Sequence, residues 1–239
     1  MIFIDQTRKT AAENIALDQF LLDSAETGAV DFEVMRIWRP QDYVVVLGRA
    51  GKIGDDVIVD HCQNDGVAIL RRFSGGGTIV TGPGCLMYSL ILSQHKRPQV
   101  KDITLAHRFV GQSVQKAYAA CGHSIELQGH CDLCSGNKKF SGSALRVGRT
   151  HSIYHGTLLI DFDLRLIPRY LKLPPRRPTY RQSRDHLDFV TNLPVDEQKL
   201  VESLRDLFAA EPTEFNPNEE QINQLVESRY QNDDWNFRH

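Results

Sequence analysis

The sequence has no apolar stretch long enough to cross a bilayer. Its longest runs, such as Tyr43 to Leu47 and Leu86 to Leu92, fall far short of the roughly 20 residues that a spanning helix needs. Its first residues lack the charged segment and apolar stretch of a signal peptide, so no membrane partner is expected and the cytoplasm is the expected location. Neither sign of charge is in excess: 28 Lys+Arg stand against 30 Asp+Glu, a net charge of -2. Without a basic patch or tail, nucleic acid is not an expected partner. There is no internal repeat and no low-complexity block. Five cysteines, an odd number without an export signal, argue against a disulfide framework. What is present is ordinary globular composition, 41% hydrophobic and 24% charged over 239 residues. That fits one large domain, or one domain with a small appendage.

Cys131-Asp132-Leu133-Cys134 has C-x-x-C spacing, with His123 and His130 shortly before it. Zinc wants a second ligand pair, and a thioredoxin-like site wants the pair at the start of a helix after a strand. Ser135-Gly136-Asn137 reads instead as a turn, which disfavours both.

The chain reads as alternating helix and strand, with strands often adjacent. Thr10 to Ser24 has the spacing of an amphipathic helix, and Asp102 to Cys121 is the best helix, with an aspartate at its start and Gly122 past its end. Val34 to Trp38, Tyr43 to Gly48, Cys85 to Leu92, Ser124 to Leu127 and His151 to Ile160 read as strands. His130 to Leu145 reads as strand, turn and strand, and Asp55 to Gln63 as a short helix. Leu173 to Pro178 is a basic, proline-rich loop; Val195 to Ala209 and Pro217 to Tyr230 are surface helices, followed by a polar tail holding Trp235. This order favours an α+β fold, a mostly antiparallel sheet flanked by helices.

Between Val67-Ala68-Ile69-Leu70 and Thr78-Ile79-Val80 lies Arg71-Arg72-Phe73-Ser74-Gly75-Gly76-Gly77. Three consecutive glycines cost entropy and add nothing to a core, so they mark a tight turn or a close approach to another group. An anion-binding loop rich in N-H donors and a glycine-rich hairpin with surface arginines both fit. Asn137-Lys138-Lys139 heads a strand of small residues, Phe140-Ser141-Gly142-Ser143-Ala144, and Tyr154-His155-Gly156-Thr157 carries polar groups into an apolar strand.

In this order and spacing the glycine loop, the segment Gly136 to Ala144 and His155-Gly156-Thr157-Leu158-Leu159 resemble the lipoate-protein ligase family. Asn14 to Asp18, the segment ending at Gly48-Arg49 and, more weakly, Tyr230 to Trp235 extend the resemblance over nearly the whole chain. It implies the fold shared by biotin ligases, lipoate ligases and octanoyl transferases. Residues 1–190 would be the catalytic domain, and 191–239 a short helical extension packed on it in place of a full accessory domain. It also implies a two-step reaction with ATP and Mg. Lipoate or octanoate becomes an acyl-adenylate, and the acyl group then passes to a lysine of a lipoyl carrier domain, in a 2-oxoacid dehydrogenase subunit or the glycine cleavage H protein.

By the same resemblance Lys139 is the catalytic residue, an electrostatic clamp on two anions in both steps. Arg72, Ser74, Gly75, Gly76, Gly77, His155, Gly156 and Thr157 line the substrate site, with Arg72 facing phosphate and Arg71 structural. Ile79, Val80, Cys85, Asp132 and Ala144 lie at the nucleotide, with Asp132 the candidate Mg²⁺ ligand. The sequence departs from the family at Cys131 and Cys85, where asparagines are expected, and in lacking an accessory domain, which leaves room for a separate accessory chain. Two other functions stay open: an ATP-independent octanoyl transferase with Cys131 as nucleophile, and a non-catalytic lipoyl-ligand binding protein.

Overall fold

The computed structural model describes residues 1–27, 32–174 and 177–238. In chain order its elements are β1 (Ile2–Asp5), α1 (Ala11–Glu26), β2 (Val34–Trp38), β3 (Val44–Leu47), α2 (Ile53–Asp56), α3 (Val59–Asn64), β4 (Ala68–Arg71), β5 (Ile79–Thr81) and β6 (Cys85–Ser93). There follow α4 (Ile103–Ala120), β7 (Glu126–Gln128), β8 (Asp132–Ser135), β9 (Lys138–Val147), β10 (His151–Leu159), α5 (Leu166–Tyr170) and α6 (His186–Phe189). The described chain closes with α7 (Glu197–Phe208), β11 (Glu211–Pro212), α8 (Glu219–Leu225) and α9 (Asp233–Asn236). Among the described residues no helix is long and apolar enough to cross a membrane.

Eight strands form one sheet in the order β11-β1-β2-β6-β10-β9-β8-β7, and β4-β3-β5 form a second. The two pairings of β1 are parallel, while all pairings from β2 to β7 are antiparallel. The fold is therefore α+β with a mixed, mostly antiparallel sheet. Strands β4 and β5 both pair with β3, from opposite sides. The hairpin reading of the glycine loop is thereby excluded, because its two flanking strands are not neighbours.

Helix α1 starts with a reciprocal cap: the Thr10 hydroxyl accepts from the Glu13 N-H while the Glu13 carboxylate accepts from the Thr10 N-H. It is not the amphipathic helix its spacing predicts. Asn14, Asp18 and Gln19 are as buried as Leu17 and Leu21, since the helix packs on the sheet on one side and on Ile222, Val226 and Tyr230 on the other. Helix α4 does behave as predicted, with the Asp102 side chain accepting from the Leu105 N-H and Val110, Val114 and Tyr118 facing the sheet. Strands β1 and β11 escape sequence reading because they are short, four and two residues, with no room for an alternating pattern.

Of the proline-rich loop, Pro175 and Arg176 lie outside the described residues. Past residue 190 the chain is built into the cores: Leu200, Leu204 and Phe208 of α7 join the cluster around α4, and Tyr230 joins that around α1.

Candidate active site

Strand β8 carries an irregularity between Leu133 and Cys134, which brings Cys134 opposite Lys139. A bulge of this kind re-aims side chains. Lys139 Nζ lies 2.6 Å from Asp132 Oδ1, above the bare backbone of Gly142, where a Cβ would come within 3.1 Å of it. The Lys139 carbonyl accepts from the Thr191 N-H, so the segment after α6 holds this strand in place. Burial pushes the Lys139 pKa down, but the charge and hydrogen bond of Asp132 more than offset it, and the net shift is up. Tyr180 donates its hydroxyl to the other oxygen of the same carboxylate, at 2.6 Å.

Two adjoining cavities, about 260 and 280 Å³, meet at Lys139 and share Gly77, Ile79, Asp132 and Thr157. Both are lined mostly by apolar surface, and Asp18, Arg72 and His155 also reach the first. Ile15, Trp38, Val44, Val46 and Met87 line it, with Gly76, Ala144, Gly156 and Cys131. The second lies under the segment from Lys172 to Val190 and takes Arg181, His186 and Phe189 into its wall.

The glycine loop is built from both arginines. Arg71 is fully buried and donates to the carbonyls of Gly48, Gly51, Asn236 and Arg238. In place of the expected phosphate-facing guanidinium, Arg72 donates to the carbonyls of Val46, Gly75 and Gly77 and to the Ser74 hydroxyl. Burial lowers its pKa to about 10. With the carbonyls drawn inward, Gly76 and Gly77 stand exposed at the cavity wall, while Ser74 and Gly75 lie outside it.

His155 lines the first cavity, yet both its nitrogens are engaged. Nε2 meets Ser74 Oγ at 2.6 Å and Nδ1 faces Asp18 Oδ2 at 3.7 Å. Arg72 Nε donates to that same hydroxyl at 3.1 Å. His155 therefore ties the glycine loop to α1. Asp18 also pairs with Arg36 at 2.6 Å and accepts from Ser89, and its pKa falls: burial raises it, but Arg36, His155 and Ser89 together lower it more. The sequence does hold a trace of this network, since Arg36 between Met35 and Ile37 is a charge inside an apolar strand and demands a buried partner.

Thr157, Ile79 and Ala144 line one or both cavities, and Val80 and Ser141 line the second. Cys85 lines neither: it is buried beside Thr81 and its thiol is pushed up to about 11. Cys131 Sγ is 3.7 Å from the Ser143 carbonyl. As for magnesium, both oxygens of Asp132 are taken by Lys139 and Tyr180, and Asp56, the other carboxylate of the second cavity, accepts from Thr78 at 2.6 Å. Among the described residues no three His, Cys, Asp or Glu side chains could hold a metal ion. The residues present do not fit a resident magnesium site.

The chain belongs to the lipoyl protein ligase A/B catalytic domain family, which matches residues 10–209. It is 27% identical over 234 residues to a probable lipoate-protein ligase A of Mycoplasma pneumoniae, covering 94% of this chain and 67% of that one. It is 24% identical to lipoate-protein ligase A subunit 1 of Thermoplasma acidophilum, at 94% and 91% coverage, and 24% identical to the octanoyltransferase LipM of Brevibacillus brevis, at 95% of each. In structure it is similar to a chain from a structural analysis of an archaeal lipoylation system, a bipartite lipoate protein ligase and its E2 lipoyl domain from Thermoplasma acidophilum, with TM-score 0.83, 20% identity, and 99% and 95% coverage. A lipoate-protein ligase A bound with ATP gives TM-score 0.79 at 22% identity, with 99% of each chain covered.

Proposed function

We propose that this chain activates lipoate or octanoate with ATP and transfers the acyl group to a lysine of a lipoyl carrier domain. The observation that carries the reading is Lys139 at the meeting point of the two mostly apolar cavities, the first fit for an acyl chain, the second also lined by Lys172 and Arg181. In the first step a carboxylate oxygen attacks the α-phosphorus and the bond to the β-phosphate oxygen breaks, releasing pyrophosphate. In the second the carrier amine attacks the acyl carbonyl and AMP leaves. A protonated Lys139 offsets the repulsion of two anions in the first step and the charge on the carbonyl oxygen in the second. The ATP-bound relative supports ATP, the archaeal lipoylation system of a bipartite ligase and its E2 lipoyl domain supports a lipoyl carrier, and its bipartite make-up supports an accessory chain. The test is lipoate-dependent exchange of labelled pyrophosphate into ATP by the purified chain; absence of exchange, with or without an accessory chain, removes the reading.

A second reading, octanoyl transfer from acyl carrier protein without ATP, rests on Cys131 in the wall of the first cavity and on the octanoyltransferase among the relatives. Octanoyl transfer in the absence of ATP would establish it. Retained ligand without turnover in either assay would leave a binding protein.

A further inference from the structure

We propose that Arg181 is the receptor for the phosphate of the ligand that enters the second cavity, a role that rests on the ligase reading for the identity of that ligand but not for its charge. Arg181 is only 4% exposed and lines the cavity. Its guanidinium lies 4.6 Å from the centre of the Phe189 ring; Nε donates to the Arg184 carbonyl at 3.1 Å and Nη2 faces His186 Nδ1 at 3.5 Å. Arginine only donates, so His186 accepts there and turns its own N-H to the Lys172 carbonyl at 3.2 Å, which keeps that imidazole neutral. Nη1 has no partner among the described residues.

A buried charge is costly unless it is paired, and among the described residues no carboxylate hydrogen-bonds this one, although Asp185 acts on it from a distance. Asp185, next to it in sequence, is spent on the Asp188 N-H at 3.0 Å. The two carboxylates that do line the cavity are also committed, Asp132 to Lys139 and Tyr180, Asp56 to Thr78. Other cations in or beside the cavity share the same condition: Lys172, which lines it, donates to the Gly54 carbonyl, and nearby in sequence Arg177 donates to Pro174 and Arg184 to Asn137 and Tyr180. A second and independent sign comes from the floor, where the Ser141 hydroxyl is 2% exposed, lines the cavity and has no hydrogen-bond partner. A guanidinium without an acid, with Nη1 left free, and a buried hydroxyl without a partner, in one cavity, together fit a multi-oxygen anion. Planar, bidentate recognition of phosphate is what a guanidinium fixed by an aromatic ring does best. Phosphate reaches such a site on a nucleotide or on the phosphopantetheine arm of an acyl carrier, and the shared phosphate is what Arg181 would bind.

The experiment is calorimetric titration of the full chain with a non-hydrolysable ATP analogue and, in a second arm, with 4'-phosphopantetheine, using wild type and Arg181→Gln, with octanoate alone as control. The expected result is a loss of about tenfold or more in affinity for the phosphate probe, the size of a lost charge-assisted hydrogen bond, with octanoate binding unchanged. If Arg181→Gln fails to fold, Arg181→Met, which keeps an unbranched stem over Phe189, takes its place. Equal affinity of variant and wild type for whichever probe binds overturns the role of Arg181 and leaves the ligase reading standing. Binding of phosphopantetheine but not of nucleotide, lost in the variant, overturns the ligase reading and supports Arg181. Binding of neither probe to wild type overturns both.

Discussion

Lys139 Nζ stands 2.6 Å from Asp132 Oδ1, and the pairing leaves the lysine a cation rather than a nucleophile. Its folded pKa is raised, so the stabilisation from the pair is complete below the unfolded lysine pKa and is lost only as pH rises through the higher folded value. Lys139→Ala is expected to keep its fold and to lose turnover by about 10²- to 10³-fold, the scale for removing a charge-stabilising donor. Steady-state acyl transfer alongside far-ultraviolet circular dichroism measures both. Near-normal rates would refute the role of Lys139.

Cys131→Ser separates the two enzymatic readings. Among the described residues the thiol's hydrogen-bond acceptor is the Ser143 carbonyl, and serine nearly preserves its size. An adenylating enzyme should keep most of its rate, whereas a thioester route should collapse. Mass spectrometry of the protein after incubation with octanoyl carrier gives the same answer by the presence or absence of an acyl adduct.

Asp18→Ala leaves the buried Arg36 guanidinium without its acid, and a loss of about 3–5 kcal/mol in denaturant unfolding is expected. The pKa of Asp18 is lowered in the fold. Its contribution is therefore present above the unfolded carboxylate pKa and disappears as pH falls through the folded value, so the variant should lack that acid-side loss of stability. Equal acid unfolding of wild type and variant would contradict the assignment.

Gly76→Ala tests how tightly the glycine loop is fitted. Gly76 has φ +91°, and an added Cβ would lie 2.8 Å from Arg72 Nη2 and 3.4 Å from the Ala144 Cβ. A cost of about 1–3 kcal/mol is expected, together with a raised KM for the acyl acid. Gly75→Ala, at negative φ with nothing near the added carbon, should be nearly silent and serves as its control.

Much of the fold is legible in the residues, because β6, β10 and α4 are long and strongly patterned. The ordered motifs around Gly75, Lys139 and His155 were enough to name the family. What stayed hidden was which side chains turn inward. Arg72 looks like a ligand-binding cation in sequence; it does line the first cavity, but it also braces its own loop, which the sequence does not reveal. Asp18 and Asn14 look like the polar face of a helix and are covered, because a second layer at Ile222 to Tyr230 packs there from more than 200 residues away. Tyr180 and Arg181 sit in a stretch with neither strand nor helix periodicity, so nothing local marks them, and only the folded chain brings them over Asp132 and the second cavity.

Every side chain lining either cavity lies at or before Val190, yet the glycine loop hangs from beyond it. Arg71 takes carbonyls of Asn236 and Arg238, and the Trp235 indole donates to the Arg71 carbonyl at 2.7 Å. A ribosome releasing this chain would thus have made all the walls of the site well before the clasp that sets them. Closing so distant a contact is slow relative to local structure. A nascent chain stalled short of Trp235 should hold its cavities in loose form, and settle them only once Trp235 to Arg238 have been added.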